Sequence, residues 1–284
     1  MQIRQIRIDD ADYPAHLREI KDPPERLYYT GNISLIRYPG IAVVGTRRSS
    51  PYGRWAAKEI ARRIARCRVP VISGMAEGID SAAHWGCLSE DMGTVAVFGT
   101  GIDLCFPASN IRLKSIIEQK GLILSEYEPG TRGFAGNFPE RNRIISGLSK
   151  SVIVVEGALK SGSMITARLA LEQGRDVYAV PGNIDQLNSI GVNKLIADGA
   201  FPIMELDGLA ELLGIGEGRT ARMIEDLSDE EKIMIGSIIG SPGIGAEEIA
   251  LKSGLDLRTC TLLASALELK GLIRSEGSRL FVIK

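Results

Sequence analysis

The 284-residue chain has length enough for one larger and one small domain, and its 44% hydrophobic and 24% charged residues exclude a disordered or fibrous polymer. Lys and Arg number 34 against 35 Asp and Glu, a net charge of -1, so any site for a polyanion has to come from local clustering. No run of about 18 apolar residues and no signal-peptide block occurs, which predicts a cytoplasmic protein, while four scattered cysteines and the isolated His16 and His84 argue against a metal cluster or a disulfide framework.

Residues 1–40 carry Tyr13, Pro14, Pro23, Pro24 and the pair Tyr28 and Tyr29, too broken by proline for a long helix. They are expected to form an extension packed on the domain that follows. From 41 to 213 one pattern repeats: a short apolar run, a turn, then apolar residues three and four apart. Strands are predicted at 41–45, 70–73, 94–98, 121–125, 151–155, 176–180 and 200–204, with helices at about 53–67, 78–89, 109–119, 139–148, 162–174 and 189–198. Strands that alternate with helices and lack polar alternation imply an α/β fold, a doubly wound, mostly parallel sheet covered on both faces. In such sheets ligands sit beyond the carboxyl ends of the strands.

Three segments follow predicted strand ends. Gly45, Thr46, Arg47 and Arg48 form a turn before a helix, where backbone amides and a guanidinium suit phosphate oxygens; an ordinary strand-to-helix turn is the plainer reading. The dinucleotide fingerprint Gly-x-Gly-x-x-Gly is absent both here and at Gly99 to Gly101, so a nicotinamide cofactor is disfavoured. Phe138, Pro139, Glu140, Arg141, Asn142 and Arg143 open a helix whose positive end repels the arginines they crowd there, which points to a bound anion. Phe138 offers a flat face for a base, or else is a hydrophobic staple with the arginines paired to Glu126, Glu128 or Glu140. Lys160, Gly162, Ser163 and Thr166 begin another helix, where Ser161 or Ser163 also suits ordinary capping. Arg47, Arg141, Arg143 and Lys160 are the expected phosphate contacts. The stripe Arg54, Lys58, Arg62, Arg66 reads as a solvated helix face, and Asp80 with His84 as capping or core polar groups. No acid, base and nucleophile assemble into a catalytic set.

The glycine-rich stretch 214–225 suits a linker, and a second domain is expected over 226–284. It opens on a capping box, Ser228 with Glu231, before the helix bearing Ile233, Ile235 and Ile238. Two further helices, at 246–252 and 256–270, precede two β-prone runs at 272–274 and 279–283. Three helices and a hairpin predict a small winged helix-turn-helix domain. Its seven positive against nine negative residues and its apolar third helix suit a protein surface better than DNA.

The runs VVGTRRSSPYG, SGMAEGIDSAAH, FGTGIDLCFPASN, NFPERNRIISGLS, VVEGALKSGSMITARLALEQGRDVYAVPG and GVNKLIADGA resemble, in this order, the DprA/Smf DNA-processing family. The resemblance runs from about Tyr13 to the C-terminus. It implies a Rossmann-like, single-stranded DNA-binding recombination mediator. Such a protein protects incoming strands and loads RecA recombinase during natural transformation, as a homodimer, without cofactor or known catalysis. Residue by residue it assigns DNA binding to Gly45, Thr46 and Arg47, to Phe138, Arg141, Asn142 and Arg143, and to Gly162, Ser163 and Thr166. Phe106 departs from the family's usual tyrosine and Gly157 from its usual alanine. The N-terminal helical domain of many members has no counterpart in residues 1–40, whereas a C-terminal winged helix does occur in the family. Two rivals remain. A phosphoribohydrolase-type enzyme would carry a glutamate in a Gly-Gly-x-Gly-Thr-x-x-Glu segment, where this chain has SGSMITAR; a duplex-specific regulator acting through the winged helix is opposed by that domain's acidity.

Overall fold

The computed structural model describes residues 2–215, 227–241, 243–270 and 272–282. The β-branched runs become parallel strands: β3 (Gly40–Val44), β4 (Val71–Ser73), β5 (Val95–Phe98), β6 (Leu122–Ser125), β7 (Ser149–Val154), β8 (Asp176–Ala179) and the two-residue β9 (Phe201–Pro202). Between them lie α2 (Pro51–Arg66), α3 (Ile79–Leu88), α4 (Ile111–Lys120), α5 (Asn137–Gly147), α6 (Gly162–Glu172) and α7 (Leu187–Ala197), with the short α8 (Leu209–Leu212) after β9. β3, β4, β5 and β6 are buried along their whole length, because helices cover both faces.

The first forty residues are not merely packed on this sheet; they belong to it. β1 (Arg4–Arg7) pairs antiparallel with β2 (Arg26–Gly31), and β2 pairs antiparallel with β6. The full order is β1-β2-β6-β5-β4-β3-β7-β8-β9. The short helix α1 (Ala15–Arg18) between β1 and β2 sends Leu17 into the main core beside Ile144, Ile145 and Leu148 of the α5 segment. On that face Ala42, Val44, Val95, Val97, Val152 and Val154 supply the sheet side. The alternate residues Ala96, Phe98 and Ile123 pack against Leu113 and Ile117 of α4 on the other face.

Strand order runs outward both ways from the β3–β7 pair, since β3 leads to β4 on one side and β7 to β8 on the other. This is the switch point of an open α/β sheet, and the crevice beyond the ends of β3 and β7 is where sheets of this kind bind ligands. α2 starts there because Ser50 accepts the Gly53 amide at 2.9 Å and Pro51 presets the first turn. Ala57, Ile60, Ala61 and Ile64 then bury one face of that helix.

The two histidines are core groups. His84 is fully buried with Nδ1 2.8 Å from the Thr94 hydroxyl, and burial, reinforced by the Arg141 charge, holds its pKa at about 3; His16, buried near Arg175, is held at about 4. Both lie below the unfolded value near 6.5. Below that pH the unfolded chain therefore binds protons that the folded chain refuses, and stability falls as pH drops from 6.5 toward those values. We expect the unfolding free energy from urea titrations to fall over this window, by up to about 1.4 kcal/mol per pH unit for each histidine. His84→Gln should reduce the slope, and an identical slope would refute the assignment.

The chain divides into two units, Met1–Leu213 and Gly214–Lys284. The predicted linker, beyond Ile215, and the start of the second domain at 226 lie outside the described residues. In the second unit, α9 (Asp229–Gly240) begins with the reciprocal Ser228 and Glu231 capping box. α10 (Ala246–Ser253), α11 (Leu257–Leu269) and the antiparallel hairpin β10 (Ile273–Glu276) and β11 (Arg279–Val282) follow. Met234, Ile235, Ile238, Ile249, Cys260, Leu267 and Leu280 form its core, while Ile233 is exposed.

Candidate nucleic-acid interface

β3 stops at Val44 because the next residues turn. The Thr46 amide donates to the Glu156 carbonyl at 2.8 Å, and the Thr46 hydroxyl accepts the Arg48 amide at 3.2 Å. A Cβ on Gly45 would stand 2.8 Å from that same Glu156 carbonyl, so only glycine lets the β3 and β7 ends lie so close. The Arg47 side chain leaves this turn exposed and lays its guanidinium 5.2 Å from the centre of the Phe138 ring. Phe138 is half-buried, lies over Gly99 and Gly133, and meets Phe106 at 5.3 Å between ring centres.

These groups line one cavity of about 710 Å³ at the switch point. Of the sequence-predicted residues it gathers Gly45, Thr46, Arg47, Phe138, Arg141, Asn142, Gly162, Ser163 and Thr166, and it adds Arg48, Phe106 and Asn188. The start of α6 lines the same cavity as Arg47, and there Ser161 makes no side-chain cap and instead shares a 2.7 Å hydrogen bond with Ser163. Asn142 donates to the Gly162 carbonyl at 3.3 Å and so ties α5 to that helix start. An uncapped helix N-terminus and an exposed guanidinium on one cavity suit a phosphate oxygen.

Arg143 and Lys160 lie outside this lining. α5 begins at Asn137 rather than 139, which moves the arginines into its second turn and away from the helix start. Arg143 turns to Asp22 at 3.0 Å and Glu126 at 2.6 Å, so its charge is already balanced. The pairing with Glu126 is the alternative foreseen for it. Lys160 is exposed on the loop before α6.

Arg141 reaches the cavity wall but is 4% exposed. It donates to the Gly74 carbonyl at 2.8 Å and to the Val97 carbonyl, and its charge faces Asp80. Burial pushes the Arg141 guanidinium down to about 10, still cationic at neutral pH, and pushes the Asp80 carboxyl up, while their mutual attraction opposes both shifts. Asp80, the carboxylate of the lining, accepts the Gly74 amide at 3.1 Å and the Ala76 amide at 3.4 Å. Its oxygens are thus committed to the wall, as capping and core polar contacts predict.

The expected phosphate slot at the start of α2 is filled from within. Glu156, after β7, accepts the Ser50 amide at 2.9 Å and the Ser50 hydroxyl, which places a carboxylate at that helix N-terminus. The Thr46–Arg47 turn and the start of α6 are left without such an internal carboxylate. Sequence reasoning treated Phe106 only as a departure from tyrosine, yet at 50% exposure it is the more open aromatic face of the cavity. Its signal was its place just after the GTGID turn, beyond the end of β5.

No helix among the described residues is long and apolar enough to cross a membrane. A model of the family described as DNA recombination-mediator protein A matches residues 4–214. Protein Smf of Synechocystis is 42% identical over 233 residues, 80% of this chain and 57% of that protein. DNA processing protein DprA of Streptococcus pneumoniae is 44% identical over 193 residues, 68% of each chain. This chain thus spans little more than half the length of the first relative. Its solved structures of likeness include DprA of Streptococcus pneumoniae, with TM-score 0.71 and 42% identity over 74% of each chain. They also include DprA of Helicobacter pylori, whose structure describes single-stranded DNA binding, with TM-score 0.69 and 33% identity over 75% of this chain and 96% of that one.

Proposed function

The chain belongs to the DNA recombination-mediator protein A family, and on that premise we propose that its switch-point cavity holds single-stranded DNA. The observation that carries this reading is the exposed Arg47 guanidinium, the half-buried Phe138 ring and the uncapped start of α6 around one cavity. A cation and helix amides bind successive phosphates, and aromatic faces stack on bases of any identity. Phe106, beside Phe138, shares the stacking. Arg141 and Asn142 build the wall, Arg143 is held away from it by Asp22 and Glu126, none of the three touches phosphate, and Lys160 attracts the strand from the rim.

The bound strand is shielded from nucleases and handed to RecA recombinase during natural transformation in the cytoplasm, a mediator's role that needs no cofactor and no chemical step by this chain. A homodimer through the sheet unit would place two cavities on one strand and raise avidity. The second unit, read as a winged helix, docks on protein rather than on duplex DNA.

The test is fluorescence anisotropy with matched single-stranded and duplex oligonucleotides across a salt series. Arg47→Ala is expected to weaken single-strand binding and to lower the magnitude of the salt slope by about 0.7, one single-strand phosphate. Because Arg47 is exposed and bears no buried partner, its unfolding midpoint should stay at the wild-type value. An unchanged slope would remove Arg47 from the interface, and equal affinity for duplex would sink the single-strand reading.

A further inference from the structure

A second cavity, of about 620 Å³, adjoins the first along the same sheet edge, and Asn188 lines both. Asn188 is fixed as the divide by donating to the Arg48 carbonyl at 2.8 Å, while its own carbonyl accepts the Gly157 amide at 2.7 Å. The second cavity is bounded by Pro181 and Gly182 beyond β8, by Gln186, and by Tyr52 on the first turn of α2. Tyr52 and Trp55 are 51% and 53% exposed, with ring centres 5.9 Å apart on one face of that helix. Two large aromatic rings in solvent, unused by the fold, call for a function.

The charges along α2 divide in the same way. Arg62, Arg63 and Arg66, in its second half, pair with Glu59, Glu90 and Asp207. Arg47 and Arg48 before the helix, and Arg54 and Lys58 in its first half, are exposed and have no carboxylate within ion-pair distance among the described residues. Cations left unpaired beside exposed aromatic rings, continuous with a nucleic-acid cavity, make a stacking platform with an electrostatic track.

We propose that the single strand does not end in the first cavity but crosses Asn188 and stacks a base on the Tyr52 and Trp55 pair, with Arg48 and Arg54 holding the intervening phosphates. This second base subsite rests on the reading of the first cavity as a single-strand site. Asn183, Gln186 and Asn188 give amide donors and acceptors to the base edge without selecting one base. Trp55 lines, with Tyr52, a neighbouring groove that also holds Glu205 and the Arg63–Asp207 ion pair, so Tyr52 is the ring shared with the second cavity and the strand reaches Trp55 past it.

The chain has two tryptophans, Trp55 and Trp85. In a Trp85→Phe protein Trp55 alone reports, and oligo-dT of about 4 to about 16 nucleotides is titrated against its emission. We expect short oligonucleotides to bind without quenching Trp55 and longer ones to quench it. Trp55→Ala should cost long oligonucleotides about five- to about a hundred-fold in affinity and short ones nothing. Arg47-dependent binding that leaves Trp55 emission unchanged at every length would overturn the second subsite and leave the first intact. Emission that follows protein concentration without DNA would also overturn it, since a second copy would then cover the rings. Absence of any single-strand binding would remove both readings together.

Discussion

Arg141→Met is expected to lower the unfolding free energy by about 1–3 kcal/mol, the usual cost of leaving a buried acceptor without its donor. The wild-type guanidinium holds the carbonyls of Gly74 and Val97 and balances Asp80, and it is 4% exposed. Methionine fills the volume but leaves two carbonyls without donors and a carboxylate without its counter-ion. Two buried neighbours give the deficit a pH dependence of one sign, Asp80 and His84, whose depressed pKa the Arg141 charge reinforces. Burial already raises the Asp80 carboxyl and Arg141 opposes that rise, so its loss lets Asp80 bind a proton more readily when folded than unfolded. A group with a raised folded pKa gains stability as pH falls toward its unfolded value, so the deficit of Arg141→Met should be smaller at pH 5 than at pH 8. Guanidinium titrations at the two pH values check this, and a deficit under about 1 kcal/mol, or one independent of pH, would mean that the pair is not structural. Below its melting temperature the variant should keep the wild-type salt slope for single strands, which separates a wall residue from a phosphate contact.

Gly78→Ala should damage fold and binding together. Gly78 caps α3 at φ 80° and ψ -119°, a conformation closed to residues with a Cβ. A Cβ there would overlap the carbonyl oxygens of Thr46 and Arg47, while the Ile79 amide beside it donates to the same Thr46 carbonyl at 3.3 Å. The added methyl therefore has to displace the turn that aims Arg47. We expect a loss of about 1–3 kcal/mol in stability and a larger loss of single-strand affinity than Arg47→Ala gives, since Thr46, Arg47 and Arg48 move as one piece. Gly236→Ala, inside α9 with no neighbouring atom within 4 Å of the new Cβ, should move stability the other way, by about 0.4–1 kcal/mol. Equal affinity of Gly78→Ala and wild type would show that the turn tolerates displacement.

The parallel strands were legible because burial on both faces writes continuous apolar runs such as IAVV and SVIVV. β1 and β2 were not: RQIR carries one buried isoleucine among exposed residues, and β2 is only partly buried. Their place in the sheet is fixed by pairing across distant sequence, Tyr28 with Ser125 and Thr30 with Ile123. The site was legible wherever a glycine or small residue follows a strand end. The geometry departs from the reading where neighbours on α5 were sent to one target. Arg141 and Arg143 are two residues apart on a helix and so point to nearly opposite sides, one to the cavity wall and the other to Asp22 and Glu126. Which of them faced the groove depended on α1 and β6 lying over the other side. The capping of α2 by Glu156 joins residues 106 apart and has no local signal.

That internal carboxylate bears on how the protein copes with the cell's free nucleotides. The start of α2, directly behind β3, is the usual seat for the phosphate of a mononucleotide, and left open it would add a second seat for nucleoside triphosphates beside the start of α6. With Glu156 seated against Ser50, a lone nucleotide meets negative charge there and keeps only the contacts that each unit of a polymer also makes. A strand that spans several such contacts wins by linkage, and an oligonucleotide isotherm should stand unmoved when ATP is added at cellular concentration.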